Sequence, residues 1–470
     1  MGGPWQDATL AALEQLPMAV RTFDEEWSGS ELLARAASGA RVLAAAGTPP
    51  GPVPVLVGST ANGVALTLGG ALSGRPTAPL GVRLAVAELA PLVQRLGAPA
   101  LVTDAENAAL GADVAEAASV RHVVFHQLPP AELDVVPTTP DSVLVVLHTS
   151  GTTGLPKPVP VRDSAVHHRA GAYRRHLGLQ HGELYCSAGA FHHTGGVGMC
   201  FVAFDCGAAV LPLPRFTLEN WRAAADLHPT CGLLVPTMIE MLLEAKLLDR
   251  VPLRALHYGT APIHPATLAA ALAALPATRF AQAYGQTEGG PLTMLVHEEH
   301  LRALNGEPHL LASVGRAVEG VDLRIDDPSD EGVGEVVARA GQVFLPGSDG
   351  WLHTGDLGRV DEEGFLYLRG RKGDTIIRGG ENVYPLEVER VLETHPEVLE
   401  AAVVGVADRR WGETLKAFIV ATDPENPPKP ADLAAYAAAR LARFKVPADW
   451  ELTGELPRNA AGKLLRRLLH

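Results

Sequence analysis

From Val53 to Tyr258 short apolar runs alternate with helix-length stretches, and this alternation constrains the fold more than any other feature of the chain. Val53–Val57 leads through a turn into the helical pattern Gly63–Ser73. Ala100–Thr103 and Arg121–Phe125 flank the alanine-rich stretch 104–118. Ser142–Leu147, Ala208–Leu213, Gly232–Val235 and Ala255–Tyr258 repeat the theme, each followed by a helical pattern or a Pro/Gly loop. Short, nearly uninterrupted apolar runs suit strands buried on both faces, and strands separated by helices pair in parallel. The chain is therefore predicted to be α/β, with mostly parallel sheets flanked by helices. From about Gly320 the pieces VDLRI, GEVVARA and GFLYLRG, joined by turns such as SDG and EEG, predict antiparallel strands in a small barrel-like subdomain. After Gly370 an α+β unit follows: helix Leu386–Thr394, strands Glu400–Val406 and Thr414–Ala421, the proline-rich DPENPPKP, and helix Ala431–Phe444. Gly370-Arg371-Lys372-Gly373 joins permissive backbone to charge and marks the boundary. The expected division is a large N-terminal domain, 1–370, a hinge near 371–373, and a mobile C-terminal domain, 374–470.

Composition narrows the function. Of the 470 residues 47% are hydrophobic, enough for several cores, and 39 Lys+Arg against 53 Asp+Glu leave a net charge of −14, which argues against nucleic acid as a partner. The four cysteines, Cys186, Cys200, Cys206 and Cys231, form no CxxC pair, so neither a disulfide scaffold nor a structural zinc is expected. The start lacks the pattern of a secretory signal, and the uncharged stretch Val42–Gly74 is interrupted by Pro49, Pro50, Pro52 and Pro54. These features point to a cytoplasmic protein with no integral membrane segment; between a monomer and a homodimer they do not choose.

The segment Leu147-His148-Thr149-Ser150-Gly151-Thr152-Thr153-Gly154-Leu155-Pro156-Lys157 leaves a buried strand and crowds hydroxyls, glycines and a lysine together. Glycine backbone turns its N–H groups inward, hydroxyls add donors and lysine adds charge, which suits a polyphosphate. A flexible surface turn has the same composition, and on this segment alone the two readings are even. The Walker spacing Gly-x4-Gly-Lys-Ser/Thr is absent.

TSGTTGLPK resembles the phosphate loop of the adenylate-forming superfamily: acyl-CoA synthetases, peptide-synthetase adenylation domains and luciferases. Four more motifs resemble that family in its own order: Tyr284-Gly285-Gln286-Thr287-Glu288; Trp351-Leu352-His353-Thr354-Gly355-Asp356; Gly370-Arg371 through Gly379-Gly380-Glu381-Asn382-Val383-Tyr384-Pro385; and Pro457-Arg458-Asn459-Ala460-Ala461-Gly462-Lys463. Together they span 149 to 463, whereas the N-terminal 140 residues match only in texture. The resemblance implies ATP, Mg²⁺ and coenzyme A as cofactor and co-substrates, a small carboxylic acid as substrate, and a catalytic set of Lys463, Glu288, Thr153 and His192. It implies ATP or AMP contacts from Thr149, Ser150, Gly151, Thr152, Thr153, Gly154, Lys157, Gly259, Thr260, Ala261, Tyr284, Gly285, Gln286, Thr287, Asp356 and Arg371, with Glu288 and Thr152 at the metal. Read singly, Tyr284 is a core aromatic, Glu288 a surface charge, Asp356 a turn residue, Arg371 a boundary charge and Lys463 part of a basic tail; the motif order reverses those readings.

Within the family the chain is most similar to acyl- and aryl-CoA ligases of the 4-chlorobenzoate–CoA ligase and fatty-acyl-CoA synthetase type. Amino-acid-activating members place Asp after Phe, whereas Phe191 is followed by His192, which supplies no fixed negative charge. The implied acyl pocket is His192, His193, Thr194, Gly196, Met238, Gly259, Ala283 and Gly290. Ala283 and Gly290 are read two ways with equal weight. As pocket walls they enlarge a cavity for a bulky hydrophobic acid, at about 0.8 kcal/mol per buried methylene; as packing residues they let neighbouring elements approach. Gly379, Gly380 and Trp411 resemble the coenzyme A contacts, and Trp411 lies between charges at a turn, a poor place for burial. Gly373 stands where the family usually has Asp or Lys, removing an anchoring side chain from the hinge. The expected activity is an AMP-forming carboxylate–CoA ligase. The alternatives are a ligase loading an acyl carrier protein and a non-catalytic nucleotide-binding regulator.

Overall fold

The computed structural model describes residues 2–47, 51–149, 156–261, 263–344, 347–378, 381–458 and 464–469. They form two compact units: residues 1–311 with 317–321 and 339–352, and residues 312–316 with 322–338 and 353–470.

Two sheets organise the first unit. A six-stranded sheet runs Arg121–Phe125, Ala100–Asp104, Val53–Leu56, Thr77–Pro79, Val143–Thr149, Lys157–Arg162; all neighbours are parallel except the last pair. A nine-stranded sheet carries at its centre Gly290–Leu295, Arg279–Gln286, Ala255–Gly259, Cys231–Leu234, Leu184–Ser187 and Ala209–Pro212, parallel from Arg279–Gln286 onward. The four residues Cys231–Leu234 are all buried, as are Ala209–Pro212 and Leu184–Ser187, which is why they read as continuous apolar runs. Helix Ala61–Leu72, started by the Thr60 hydroxyl accepting from Gly63 N–H, is buried at every position but Asn62. It lies against helix Gly29–Ala45 at small residues: a Cβ on Gly39 would come 2.8 Å from Leu66 Cα, and one on Gly69 would come 2.1 Å from Ala36 O. Glycine and alanine are thus spent on close helix approach in this unit.

The second unit contains a four-stranded sheet, Asp322–Asp326, Gly334–Arg339, Leu352–Val360, Leu366–Arg371, and a second sheet built on the long antiparallel pair Val398–Asp408 and Gly412–Ala421. Helix Pro385–Leu392 covers the latter through Val388 and Leu392, both fully buried. The helix predicted over 431–444 is shorter, Pro430–Ala438. Beyond it the chain turns so that the carbonyls of Phe444 and Val446 accept from the Arg378 guanidinium at 2.8 and 3.0 Å, partners that the local apolar pattern does not reveal. Among the described residues no helix is long and apolar enough to cross a membrane.

Candidate active site

Strands Val143–Thr149 and Lys157–Arg162 pair antiparallel with Thr149 opposite Lys157. The hydroxyl- and glycine-rich segment therefore starts from the closed end of a two-strand ladder. Ser150, Gly151, Thr152, Thr153, Gly154 and Leu155 lie outside the described residues, while Lys157 at the far stem is exposed. Thr149 is half-buried, and its hydroxyl donates to Glu288 Oε1 at 3.1 Å. Two motifs separated by 139 residues are joined by this bond.

Glu288 sits in the turn between strands Arg279–Gln286 and Gly290–Leu295, which pair Gln286 with Gly290 and are irregular at Tyr284/Gly285. The turn needs its glycines. A Cβ on Gly285 would lie 1.7 Å from the carbonyl oxygen of Gly290, and Gly290 has φ of +65°. Gly289 N–H donates to Gln286 O at 3.1 Å, and Phe344 N–H donates to Glu288 O at 2.6 Å. Below the turn Arg169, 2% exposed, donates from Nη2 to Thr287 O at 3.0 Å. Arg169 belongs to none of the sequence motifs; it lies on helix Asp163–Leu177. Tyr284 is half-buried beside this turn.

Strand Ala255–Gly259 runs parallel to Arg279–Gln286 with Gly259 opposite Ala283. A Cβ on Gly259 would lie 2.3 Å from Ala283 O, so the two chains touch through backbone. Thr260 follows with φ of +71°, a strained conformation for a β-branched residue, and its side chain is exposed. Ala261 is half-buried. The expected nucleotide residues Gly259, Thr260, Ala261, Tyr284, Gly285, Gln286 and Thr287 thus occupy adjacent strand ends, the place where parallel sheets commonly bind ligands.

The histidines form a separate cluster. The His192 and His193 rings stand 4.0 Å apart. Burial, then His193, Arg83 and His148, drives the His192 pKa down to about 3; burial and Arg83 lower that of His193. His148, which lies in the hydroxyl-rich segment with no expected role of its own, belongs with them: burial and Arg95 lower its pKa to about 4, and neither ring nitrogen has a hydrogen-bond partner. All three imidazoles are neutral at physiological pH and able to donate or accept one hydrogen bond. The Thr194 hydroxyl is buried without a partner as well. Gly196 admits no side chain, since a Cβ would lie 2.2 Å from Ala190 O. Met238 packs on the core beneath helix Pro236–Glu244, and Ala283 is half-buried against the main core. For Gly290 the packing alternative is the one the geometry supports: a Cβ there would point at Arg169, 2.5 Å from Nε, so the space is filled by a buried guanidinium.

In the second unit Asp356 and Arg371 face each other across a strand pair and form an ion pair, Nε to Oδ1 at 2.9 Å. Gly355, at φ +72°, donates its N–H to Glu335 at 3.1 Å, and Lys372 N–H returns to Gly355 O at 2.9 Å. Gly373 is surrounded by open space. Trp411 is 44% exposed on the turn between the two long strands, with the Arg410 guanidinium 5.0 Å above its ring. Asp408 holds that turn by accepting from the N–H groups of Arg410 and Trp411, both at 2.8 Å. Gly379, Gly380 and Lys463 lie outside the described residues. The stems flanking Lys463 meet, through the antiparallel bridge Arg458–Leu464 and a 2.8 Å bond from Leu465 N–H to Pro457 O.

Comparison with known proteins extends this picture. Residues 11–346 match the family described as AMP-binding enzyme, and residues 387–463 match the AMP-binding enzyme C-terminal domain. A fatty acid–[acyl-carrier-protein] ligase of Streptomyces coeruleorubidus is 35% identical over 474 residues, covering 92% of this chain and 88% of that protein. The 2-succinylbenzoate–CoA ligase of Bacillus subtilis is 32% identical over 349 residues, 70% of this chain and 69% of that protein. Among solved structures, the amide bond synthetase McbA from Marinactinospora thermotolerans superposes with a TM-score of 0.88 at 29% identity, covering 99% of this chain and 98% of that one. The o-succinylbenzoate CoA synthetase of Bacillus subtilis bound to its acyl-adenylate gives 0.85 at 29% identity, covering 100% and 98%.

Proposed function

Because this chain belongs to the AMP-binding enzyme family, we propose that it is an AMP-forming acid–thiol ligase with coenzyme A as its acceptor. The observation that carries the reading is the Thr149–Glu288 hydrogen bond, which ties the last described residue before the phosphate segment to the acidic residue of the YGQTE turn. In the first half-reaction a substrate carboxylate oxygen attacks the α-phosphorus of ATP, the bond to the bridging oxygen breaks, and pyrophosphate leaves. In the second the thiol sulfur attacks the acyl carbon, AMP departs with its oxygen, and the thiol proton passes to water.

The residues suit a magnesium ion: Glu288 would contribute a carboxylate oxygen and Thr152 a hydroxyl oxygen, with the Thr149 hydroxyl bonded to that carboxylate, and Mg²⁺ is usually held by one or two carboxylates plus substrate phosphates. When bound it neutralises charge on the departing pyrophosphate. The chain's own contributions are positional. Tyr284 offers a ring face to adenine, Asp356 and Arg371 address the ribose, and Lys463 meets the negative charge shared by carboxylate and α-phosphate. His192 and His193, neutral, border the acyl group without attracting or repelling an anion. The domains are proposed to divide at 371–373, where Gly373 gives the connection backbone freedom.

A carrier protein is the alternative acceptor, favoured by the carrier-protein ligase matched along 92% of this chain. Pyrophosphate release across a panel of carboxylic acids identifies the acid, and product analysis with coenzyme A or a holo-carrier protein identifies the acceptor. Trp411→Ala then raises the KM for coenzyme A about tenfold while pyrophosphate release holds, consistent with losing roughly 1–3 kcal/mol of base stacking. An unchanged KM for coenzyme A, with acyl transfer only to the carrier, moves the alternative to first place.

A further inference from the structure

Arg169 is among the largest side chains fully buried in the molecule and sits on helix Asp163–Leu177, away from every motif in the sequence. A buried guanidinium is costly unless its donors are engaged and its charge is balanced. Its hydrogen bond and its ring contact both concern one place. Nη2 donates to the carbonyl of Thr287, the residue before Glu288, at 3.0 Å. The guanidinium carbon lies 4.4 Å from the centre of the Phe344 ring, and the N–H of that same Phe344 donates to the carbonyl of Glu288 at 2.6 Å. Phe344 is fixed in turn by Arg162, whose Nη1 donates to its carbonyl at 3.0 Å. Both peptide carbonyls that flank the Glu288 side chain are therefore held from below, one by Arg169 and one by the residue Arg169 stacks on.

Two details separate this arrangement from ordinary core packing. Arg169 Nε has no hydrogen-bond partner, although a fully buried donor normally finds one. Gly290, at φ +65°, leaves the space a Cβ would occupy to that same Nε, at 2.5 Å. The turn is thus shaped around the guanidinium, and Nη2 is aimed at the carbonyl next to Glu288. Tyr173, and then Glu288, partly offset the cost of burying the guanidinium.

We propose that Arg169 is a positioning residue that fixes the Glu288 carboxylate for Mg²⁺-nucleotide binding, by clamping the Thr287 carbonyl from inside the core. The inference rests on the functional reading above, since it takes Glu288 to meet the metal-bound polyphosphate. Loss of the clamp leaves the carboxylate present but free to rotate with its peptide, so binding weakens without any direct contact between Arg169 and nucleotide.

The test is titration calorimetry of ATP with and without Mg²⁺, alongside melting curves, on the full-length protein. Wild type must bind ATP with Mg²⁺; if it does not, the functional reading itself falls. With wild type binding, Arg169→Met is expected to raise the Kd for Mg²⁺-ATP at least tenfold while the Kd for metal-free ATP moves less than threefold, and Arg169→Lys recovers most of the loss because an ammonium still reaches the Thr287 carbonyl. Gly290→Ala, which displaces the guanidinium without removing it, shifts the Mg²⁺-ATP affinity in the same direction and keeps the question open to experiment if Arg169→Met does not fold. Unchanged Mg²⁺-ATP affinity in folded Arg169→Met or Gly290→Ala, with only a lower melting temperature, assigns Arg169 to stability alone and overturns the proposal. An equal loss in Arg169→Met and Arg169→Lys, with metal-free ATP weakened to the same extent, overturns it as well.

Discussion

The carboxylates of Glu288 and Asp356 are anchored in opposite ways. Asp356 carries its own cation: Arg371, across a strand pair, bonds it at 2.9 Å. Glu288 accepts from a neutral hydroxyl, that of Thr149, and among the described residues forms no ion pair; its position comes instead from the backbone contacts of Thr287 and Phe344. A carboxylate paired with arginine has its charge largely spent and is suited to accepting hydrogen bonds from neutral groups such as ribose hydroxyls. One held through its backbone, with only the more distant Arg169 charge near it and no ion pair of its own, keeps more of its charge for an incoming cation. The same side-chain chemistry is thus assigned two tasks by what surrounds it.

The sharpest way to break this contrast is Glu288→Gln, which keeps the hydrogen bond from Thr149 but removes the charge. Pyrophosphate release is expected to fall roughly a hundredfold or more, in the range for removing one transition-state stabilising group, with little change in melting temperature. A drop of less than about fivefold would mean that the charge of Glu288 is not what the site uses. Asp356→Asn comes next. It costs a charge-assisted bond of about 1.5–3 kcal/mol, so the KM for ATP rises about ten- to hundredfold, and because Arg371 loses its partner the melting temperature falls too. The two variants should therefore separate cleanly on stability; equal melting losses would erase the distinction.

The smallest effect concerns a third kind of carboxylate. Glu393 is buried near Glu389, and burial first, then that like charge, push its pKa up to about 7 from an ordinary 4.5. The folded state holds the proton more tightly than the unfolded chain, so stability declines as pH rises from 4.5 through 7. Glu393→Gln removes the penalty. Its melting temperature is expected to exceed wild type by about 2–4 °C at pH 8 for each kcal/mol recovered and to equal it near pH 4.5. A stabilisation that is the same at both pH values would show that the ionised form is not the source.

The local pattern of the chain determined the strands, their parallel pairing class and the order of its five motifs, because strand and turn preferences act over a few residues and survive any tertiary context that buries them. The register partners Asp356 and Arg371, 15 positions apart by number, needed only a hairpin-like strand pair to meet. Long-range assembly was different in kind. Nothing local joins Thr149 to Glu288 across 139 residues, or shows that His148 shares a cluster with His192. Arg169 has the sequence surroundings of a solvated helix face, and only packing of that helix beneath the 286–290 turn buries its charge. Gly290 likewise reads equally as a pocket wall or a packing residue until the backbone places it against that guanidinium. Local propensity is written in neighbouring residues, whereas which side chains are desolvated together depends on how separate elements close on one another, and that was decided only in the folded chain.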